Sequence, residues 1–256
     1  MEQNFEALAQ SYKENLHSND RELVIDEILN AYVKQVRERA RNSTENKVSF
    51  FVGGGSNAGK TTYRNKFLKS KKDKDNFLVI DADHLKTLIP EYADLVKINS
   101  ELSADIVHKE SSAMAAQLFK KAVEERLMHL FDATLKNTDK YQKFFSLLKD
   151  AGFTINLIIV DVSIEEALRR NRARYEEALE QGDNPRLVPD NVVIESHKQI
   201  VRSFNVLKGY ADVCAIINTE GNEDEVIAVF ERVNTVVKTS IRNESKYNGF
   251  LGKNQI

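Results

Sequence analysis

Apolar positions along the chain follow two rhythms. Residues 2–16 and 20–40 repeat them at helical spacing. In the second stretch Leu23, Ile25, Ile28, Leu29, Tyr32, Val33 and Val36 recur near one face, and Asn19 or Asp20 supplies an N-cap. After the polar loop "NSTENK" the rhythm shortens. "VSFFVGG" (48–54), "FLVID" (77–81), "LMHLFD" (127–132), "INLIIVD" (155–161) and "VCAIIN" (213–218) are brief apolar runs, and three of them end in aspartate. Amphipathic stretches separate them at 104–126, 139–151, 163–181 and 190–208. Residues 222–243 read as a last helix and 244–256 as a loose tail. Strands alternating with helices predict an α/β fold in three layers: a parallel sheet of about five strands with helices on both faces, preceded by a helical segment. The expected organisation is residues 1–45 as N-terminal helices packed on or flanking a core at 46–221, and a C-terminal helix and tail at 222–256. In such sheets ligands collect at the carboxyl ends of the strands, which is where the aspartates fall.

Composition narrows the picture. A chain of 256 residues suits one large α/β domain or two small ones. A net charge of −2 gives no global field favouring nucleic acid or an anionic membrane. Cys214 is the only cysteine and sits in the apolar run "ADVCAIIN", so it reads as a buried strand thiol and an intrachain disulfide is impossible. The N-terminal "MEQNFEALAQ" is acidic and lacks the apolar core of a signal peptide. No apolar run approaches a membrane span, and "GFLGKNQI" carries no lipidation signal. The expected location is the cytoplasm.

Four of the ten glycines fall within seven residues, in "GGGSNAGKTT". Gly54-x-x-x-x-Gly59-Lys60-Thr61 fits the P-loop pattern between a predicted strand and a predicted helix. Phosphate oxygens need many N–H donors at once, so the backbone must curl closely around them, and glycine permits both the dihedrals and the approach. The following helix aims its first amides at the anion. Gly54, Gly55, Ser56, Asn57, Ala58, Gly59, Lys60, Thr61 and Thr62 form the expected ATP cradle. Lys60 would reach the β- and γ-phosphates and Thr61 would ligate Mg²⁺.

No Asn-Lys-x-Asp guanine reader stands in a suitable place, and no LSGGQ-like signature is present. "LIIVD" continues into Val162 and "FLVID" into Ala82, so neither strand ends in the Asp-Glu pair of a water-activating ATPase. Transfer to another hydroxyl is favoured over hydrolysis. Such transfer needs an acid near the acceptor, cations on the moving charge and an acceptor pocket. Asp81 and Asp83 of "VIDADHLK" offer one carboxylate for Mg²⁺ or structure and one for the hydroxyl proton; a helix cap before "HLKTLIP" explains one of them. "RRNRARYEEALEQGDNPR" offers Arg169, Arg170, Arg172, Arg174 and Arg186, either as a lid at 169–189 or as a solvated face paired with Glu165, Glu166, Glu176 and Glu177. Glu110 and Ser111 of "HKESS" and Asp132 and Thr134 of "DATLKN" are the remaining polar clusters, with capping an alternative for Ser111. His108 has no partners at metal-ligand spacing.

"GGGSNAGKTT", "VIDADHLKTLIPEY", "HKESS", "DATLKN" and the arginine segment follow one another as in the zeta-toxin family, which this chain resembles from about residue 20 to about residue 221. The resemblance implies a P-loop kinase-like fold and phosphorylation of UDP-N-acetylglucosamine at the sugar 3′-hydroxyl. It also implies inhibition by a small helical antitoxin. Matched position by position, it implies Lys60 and Thr61 as the P-loop pair and Asp83 as the base. Asp132 and Thr134 become an acid-x-threonine pair beside the substrate, and Arg174 and Arg186 lid arginines. Asp81 is left as the second metal candidate, and Glu110 and Ser111 as substrate contacts. Two departures fall on the acceptor side: Ala116 stands where the family has an acid, and Lys136 where it has an arginine. Two other readings are a kinase for another small hydroxyl compound and an ATP-gated interaction protein using residues 1–45 as a partner-binding arm.

Overall fold

The computed structural model describes residues 2–16, 18–40, 47–72, 74–182, 187–234 and 236–255. At its centre β1 (Val48–Gly54) lies between β3 (His129–Asp132) and β4 (Thr154–Asp161), all parallel. β4 is buried along nearly its whole length, as an interior parallel strand must be when both faces are covered. β2 (Leu78–Asp81) extends the sheet beyond β3, and β5 (Val213–Asn218) beyond β4. The full order is β2-β3-β1-β4-β5-β6-β7.

Helices cover both faces. α3 (Lys60–Ser70) and α9 (Ile164–Glu180) close one side around Val52, Leu130, Ile158 and Val160; α3 contributes Tyr63, Phe67 and Leu68, none fully buried. The other side is larger and receives α2 (Asn19–Ala40), α7 (His108–Glu124), α8 (Thr138–Asp150) and α10 (Asp190–Leu207). α4 (Ala82–Lys86), α5 (Tyr92–Ile98) and α6 (Ser100–Ile106) bridge β2 to α7.

The N-terminal helices belong to the core. α1 (Glu2–Asn15) buries Phe5, Ala9 and Tyr12, and α2 buries Ile25, Leu29, Val33 and Val36, all in the main apolar cluster. The clamp is electrostatic as well. Arg21 gives Nε and Nη2 to the Glu110 carboxylate at 2.7 and 2.9 Å, and Nη1 and Nη2 to Glu91 at 2.8 and 2.9 Å. Tyr12 donates its hydroxyl to Glu110 at 2.8 Å. An arm free to bind a partner does not describe this segment.

The C-terminal segment corrects the sequence reading. Residues 222–243 hold a β-hairpin: β6 (Glu225–Val233) pairs antiparallel with β5, and β7 (Val236–Ile241) pairs antiparallel with β6. The sheet therefore has seven strands rather than five, and its last two are antiparallel. The physical reason lies in the residues. Val226, Ile227, Val229, Val233, Val236, Val237 and Ile241 are β-branched and fit a pleated surface better than a helix. Asn234 takes the left-handed conformation (φ 57°) at the turn. Residues 244–255 are not a loose tail. Asn243 caps α11 (Glu244–Gly252) by accepting from the Lys246 amide at 3.1 Å, and Phe250 and Lys253 are buried.

Two fully buried histidines make the fold acid-sensitive. Both ring nitrogens of His129 have protein partners: its Nδ1 faces the Leu127 carbonyl at 2.9 Å and its Nε2 the Ser49 hydroxyl at 2.8 Å. The carbonyl requires Nδ1–H, so Ser49 donates to Nε2 and the ring is neutral. Burial lowers its pKa to about 4, and burial followed by the Lys253 charge does the same for His197. Each folded pKa lies below the unfolded one, so the unfolded chain binds more protons between the two values. Stability is complete above about pH 6.5 and is lost as pH falls toward 4, by up to ~3 kcal/mol per histidine. Urea midpoints measured from pH 7 to pH 4.5 should fall accordingly, and His129→Gln should flatten that dependence.

Candidate active site

The glycine run leaves β1 and turns into α3 through a loop with no room for side chains. A β-carbon on Gly54 would lie 2.5 Å from the Val160 carbonyl oxygen, and one on Gly55 2.5 Å from the His197 ring. Gly59, the residue before α3, has φ 84°, which glycine adopts without strain. Asn57 is also left-handed at φ 58° and is tethered through Nδ2 to Asn171 Oδ1 at 3.2 Å. The loop is braced from outside as well. The Ser56 amide donates to Ser196 Oγ at 2.8 Å, and its carbonyl accepts from His197 Nε2 at 2.9 Å. Thr219 Oγ1 donates to the Ala58 carbonyl at 2.8 Å. These bonds draw on Ser56 and on carbonyls, and the N-terminal amides of α3 open toward solvent beside exposed Thr61 and Thr62. Lys60 Nζ lies 3.3 Å from the Gly54 carbonyl.

The strand-end acids divide into distinct roles. Asp81 and Asp132 are register neighbours on β2 and β3, and Asp132 is also opposite Val52 of β1. Arg64, one turn into α3 from Lys60, places Nη1 between them, 2.5 Å from Asp81 Oδ2 and 2.9 Å from Asp132 Oδ2. Asp81 Oδ1 caps α4, accepting from the Asp83 amide at 2.9 Å. Both Asp81 oxygens are thus engaged within the fold, one by Arg64 and one by the α4 cap. Burial raises the pKa of Asp132, while the nearby Lys60 charge favours its ionised form. Asp83 is different: its side chain is 87% exposed and held only by Lys86 Nζ at 2.8 Å, so it is open to an incoming group.

Other expected site residues are placed as follows. Glu110 is buried in the Arg21–Tyr12 clamp, with both oxygens bonded, and Ser111 is buried with its hydroxyl on the His108 carbonyl at 3.1 Å. Neither presents a group to the strand ends, and Ser111 is not a cap, since Val107 precedes α7. Thr134 is exposed beyond β3. Along α9, Arg169 pairs with Glu166 and Arg172 with Asp190, as a solvated face would. Arg170 turns inward to Glu166 and Thr219. Arg174 is exposed with no hydrogen bond or ion pair to another described residue. Arg186 lies outside the described residues.

Four contributors escaped the sequence reading: Arg64, the Ser196–His197 pair, Asn171 and Thr219. Arg64 had a signal, standing four residues after Lys60 on the same helix face. The others come from distant segments and had none.

The zeta toxin family profile matches residues 32–235. This chain belongs to the zeta toxin family. Toxin PezT of Streptococcus pneumoniae is 28% identical over 139 residues, covering 54% of each chain, so the match spans about half of that toxin's length. Among solved structures, one from the PezAT chromosomal toxin-antitoxin system of Streptococcus pneumoniae superposes with a TM-score of 0.60 at 22% identity, over 76% of this chain and 78% of that one. The AvrRxo1-ORF1:-ORF2 complex with ATP gives 0.67 at 17% identity, over 92% and 74%. At these identities the likeness establishes the fold: an α/β P-loop kinase-like architecture. The zeta-toxin profile begins inside α2 and ends before β7.

Roles this different predict separable phenotypes. Asp81→Ala removes the α4 cap and half of the Arg64 bridge and should cost about 2 kcal/mol or more. Asp83→Asn, at an exposed position, should change stability by less than about 0.5 kcal/mol. Urea unfolding of both variants checks the contrast, and equal losses would reject the division of roles.

Proposed function

We propose that this zeta-toxin family member is an ATP- and Mg²⁺-dependent small-molecule kinase. It transfers the γ-phosphate to a sugar hydroxyl, with the 3′-hydroxyl of UDP-N-acetylglucosamine the favoured acceptor. The observation that carries the reading is the glycine cradle opening beside the strand-end acids Asp81 and Asp132, with Asp83 left exposed just beyond β2. ATP in the AvrRxo1 complex supports the nucleotide, and the family supports the acceptor. The toxin–antitoxin setting of the PezAT structure supports a small helical antitoxin as partner. Among the described residues no helix is long and apolar enough to cross a membrane, in keeping with a cytoplasmic site of action.

Among the described residues no three His, Cys, Asp or Glu side chains cluster to cage a metal. That suits Mg²⁺, which rests on one or two protein groups, water and phosphates. Thr61, exposed at the start of α3, would hold it, with Asp132 at the end of β3 as the acid. When bound, the ion would offset phosphate charge. The remaining chemistry belongs to the chain. The α3 amides and Lys60 bind the phosphates and stabilise charge on the moving group. Asp83 accepts the acceptor proton as the new O–P bond forms and ADP leaves. Arg174 is the exposed cation available to close over the transferring group.

Asp83→Asn keeps shape and hydrogen bonding but cannot take the proton. Calorimetric ATP–Mg²⁺ affinity should stay near normal while kcat falls roughly 10²–10⁴-fold, the range for losing a general base. Lys60→Ala should abolish transfer, and Arg174→Ala should lower the chemical step by about 10²-fold without loss of stability. Single-turnover transfer read by mass spectrometry, across UDP-sugars and nucleosides, checks all three. Undiminished transfer by Asp83→Asn removes it as the base, and preference for a nucleoside overturns the sugar acceptor.

A further inference from the structure

A buried ionic chain runs from the segment after α11 to the underside of the nucleotide loop. Lys253 is 4% exposed, and its Nζ meets Asp161 Oδ1 at 2.5 Å and the Val162 carbonyl. Asp161 ends β4, next to Val160, whose carbonyl crowds Gly54. Asp161 Oδ1 is 3.9 Å from His197 Nδ1, and His197 packs on Gly55 and bonds the Ser56 carbonyl. A carbonyl only accepts, so Nε2 carries the ring proton. The opposite nitrogen, Nδ1, is buried without a hydrogen-bond partner, which is the state of a neutral imidazole held beside a carboxylate that another cation has satisfied.

We propose that Lys253 is a positioning residue for nucleotide binding: by neutralising Asp161 beneath the P-loop it keeps His197 neutral, and so fixes the Ser56 carbonyl and the curvature of the loop. The assignment rests on the nucleotide reading above. It reaches beyond the family match, which ends at residue 235. Without Lys253 the buried Asp161 carboxylate has one cation within reach, a protonated His197. The charged groups around the ring are Asp161 of β4, Lys253 and, across the loop, Lys60. Recruiting Nδ1–H to Asp161 would draw the ring about 1 Å toward the strand, closing the 3.9 Å gap to hydrogen-bond distance, and slacken its hold on Ser56. The lysine thus selects which neighbour the histidine serves.

The test uses the full chain, with Lys253→Met and the double variant Asp161→Asn/Lys253→Met. In Lys253→Met the His197 imidazole resonances should titrate at higher pH and the Gly55 and Ser56 amides should shift. ATP–Mg²⁺ affinity should fall about tenfold. The double variant, which leaves no buried charge, should fold and should restore both the amide positions and the affinity to within about threefold. If Lys253→Met fails to fold, the double variant alone carries the test, and weak ATP binding by it overturns the proposal. Unmoved Gly55 and Ser56 amides, or a lowered melting temperature with wild-type ATP affinity, reduce Lys253 to a structural ion pair and also overturn it. A wild-type chain that binds no ATP overturns the nucleotide reading itself, a result distinguishable because the amide and imidazole resonances report the latch without ligand.

Discussion

The missing β-carbons at Gly54 and Gly55 are the constraint on which the site depends. One methyl group at either position would have to displace a main-chain carbonyl of β4 or the ring of His197, and neither is the free end of a flexible side chain. Because the loop can lie that close, β4, α10 and the segment after β5 all touch it, through Val160, Ser196–His197 and Thr219. Close packing of this kind has two discrete outcomes, fitted or displaced, with little between. The loop therefore keeps its curl from its surroundings as much as from its own dihedrals, and its outward amides are free for an anion.

Buried charge is organised around the same strand ends. Arg64 ties the P-loop helix to β2 and β3 at once, so any shift of α3 is felt by both carboxylates. Asp83, two residues from one of these anchors, has a fixed backbone and an exposed side chain paired with Lys86. A reacting group needs that combination: a position set by the fold and a carboxylate open to an acceptor. On the opposite flank Arg21 joins two glutamates, Glu91 and Glu110, and ties α2 to the segment before α5 and to α7.

Much of this was legible in the chain. The five parallel strands, the helices between them and the P-loop were written in short apolar runs and in glycine spacing, because local periodicity reports burial directly. The hairpin was not. Its apolar residues satisfy a helical count, and only their β-branching argued for strands. Asp81 and Asp83 look equivalent in sequence; what separates them is a cap and an arginine 17 residues away, and caps are local while the bridge is not. Glu110 was read toward the substrate, but its partners come from residues 12 and 21, across separations that no motif encodes. His197 and Lys253 gave no signal, since a lone histidine and a terminal lysine are ordinary until the fold brings them beneath Gly55.

The Arg21 clamp also has a consequence in time. α1 and α2 leave the ribosome before their partners, since Arg21 finds Glu91 and Glu110 only 70 and 89 residues later, and Tyr12 finds Glu110 after 98. At ordinary translation speeds that interval is on the order of 10 s. For that period the apolar faces of both helices, later covered by α5 and α7, have no native partner. The nascent chain therefore presents an amphipathic helix pair before the nucleotide loop can be completed, and β4, α10 and the Lys253 turn are made later still. Synthesis order alone delays bracing of the glycine loop until α10 and Thr219 have emerged.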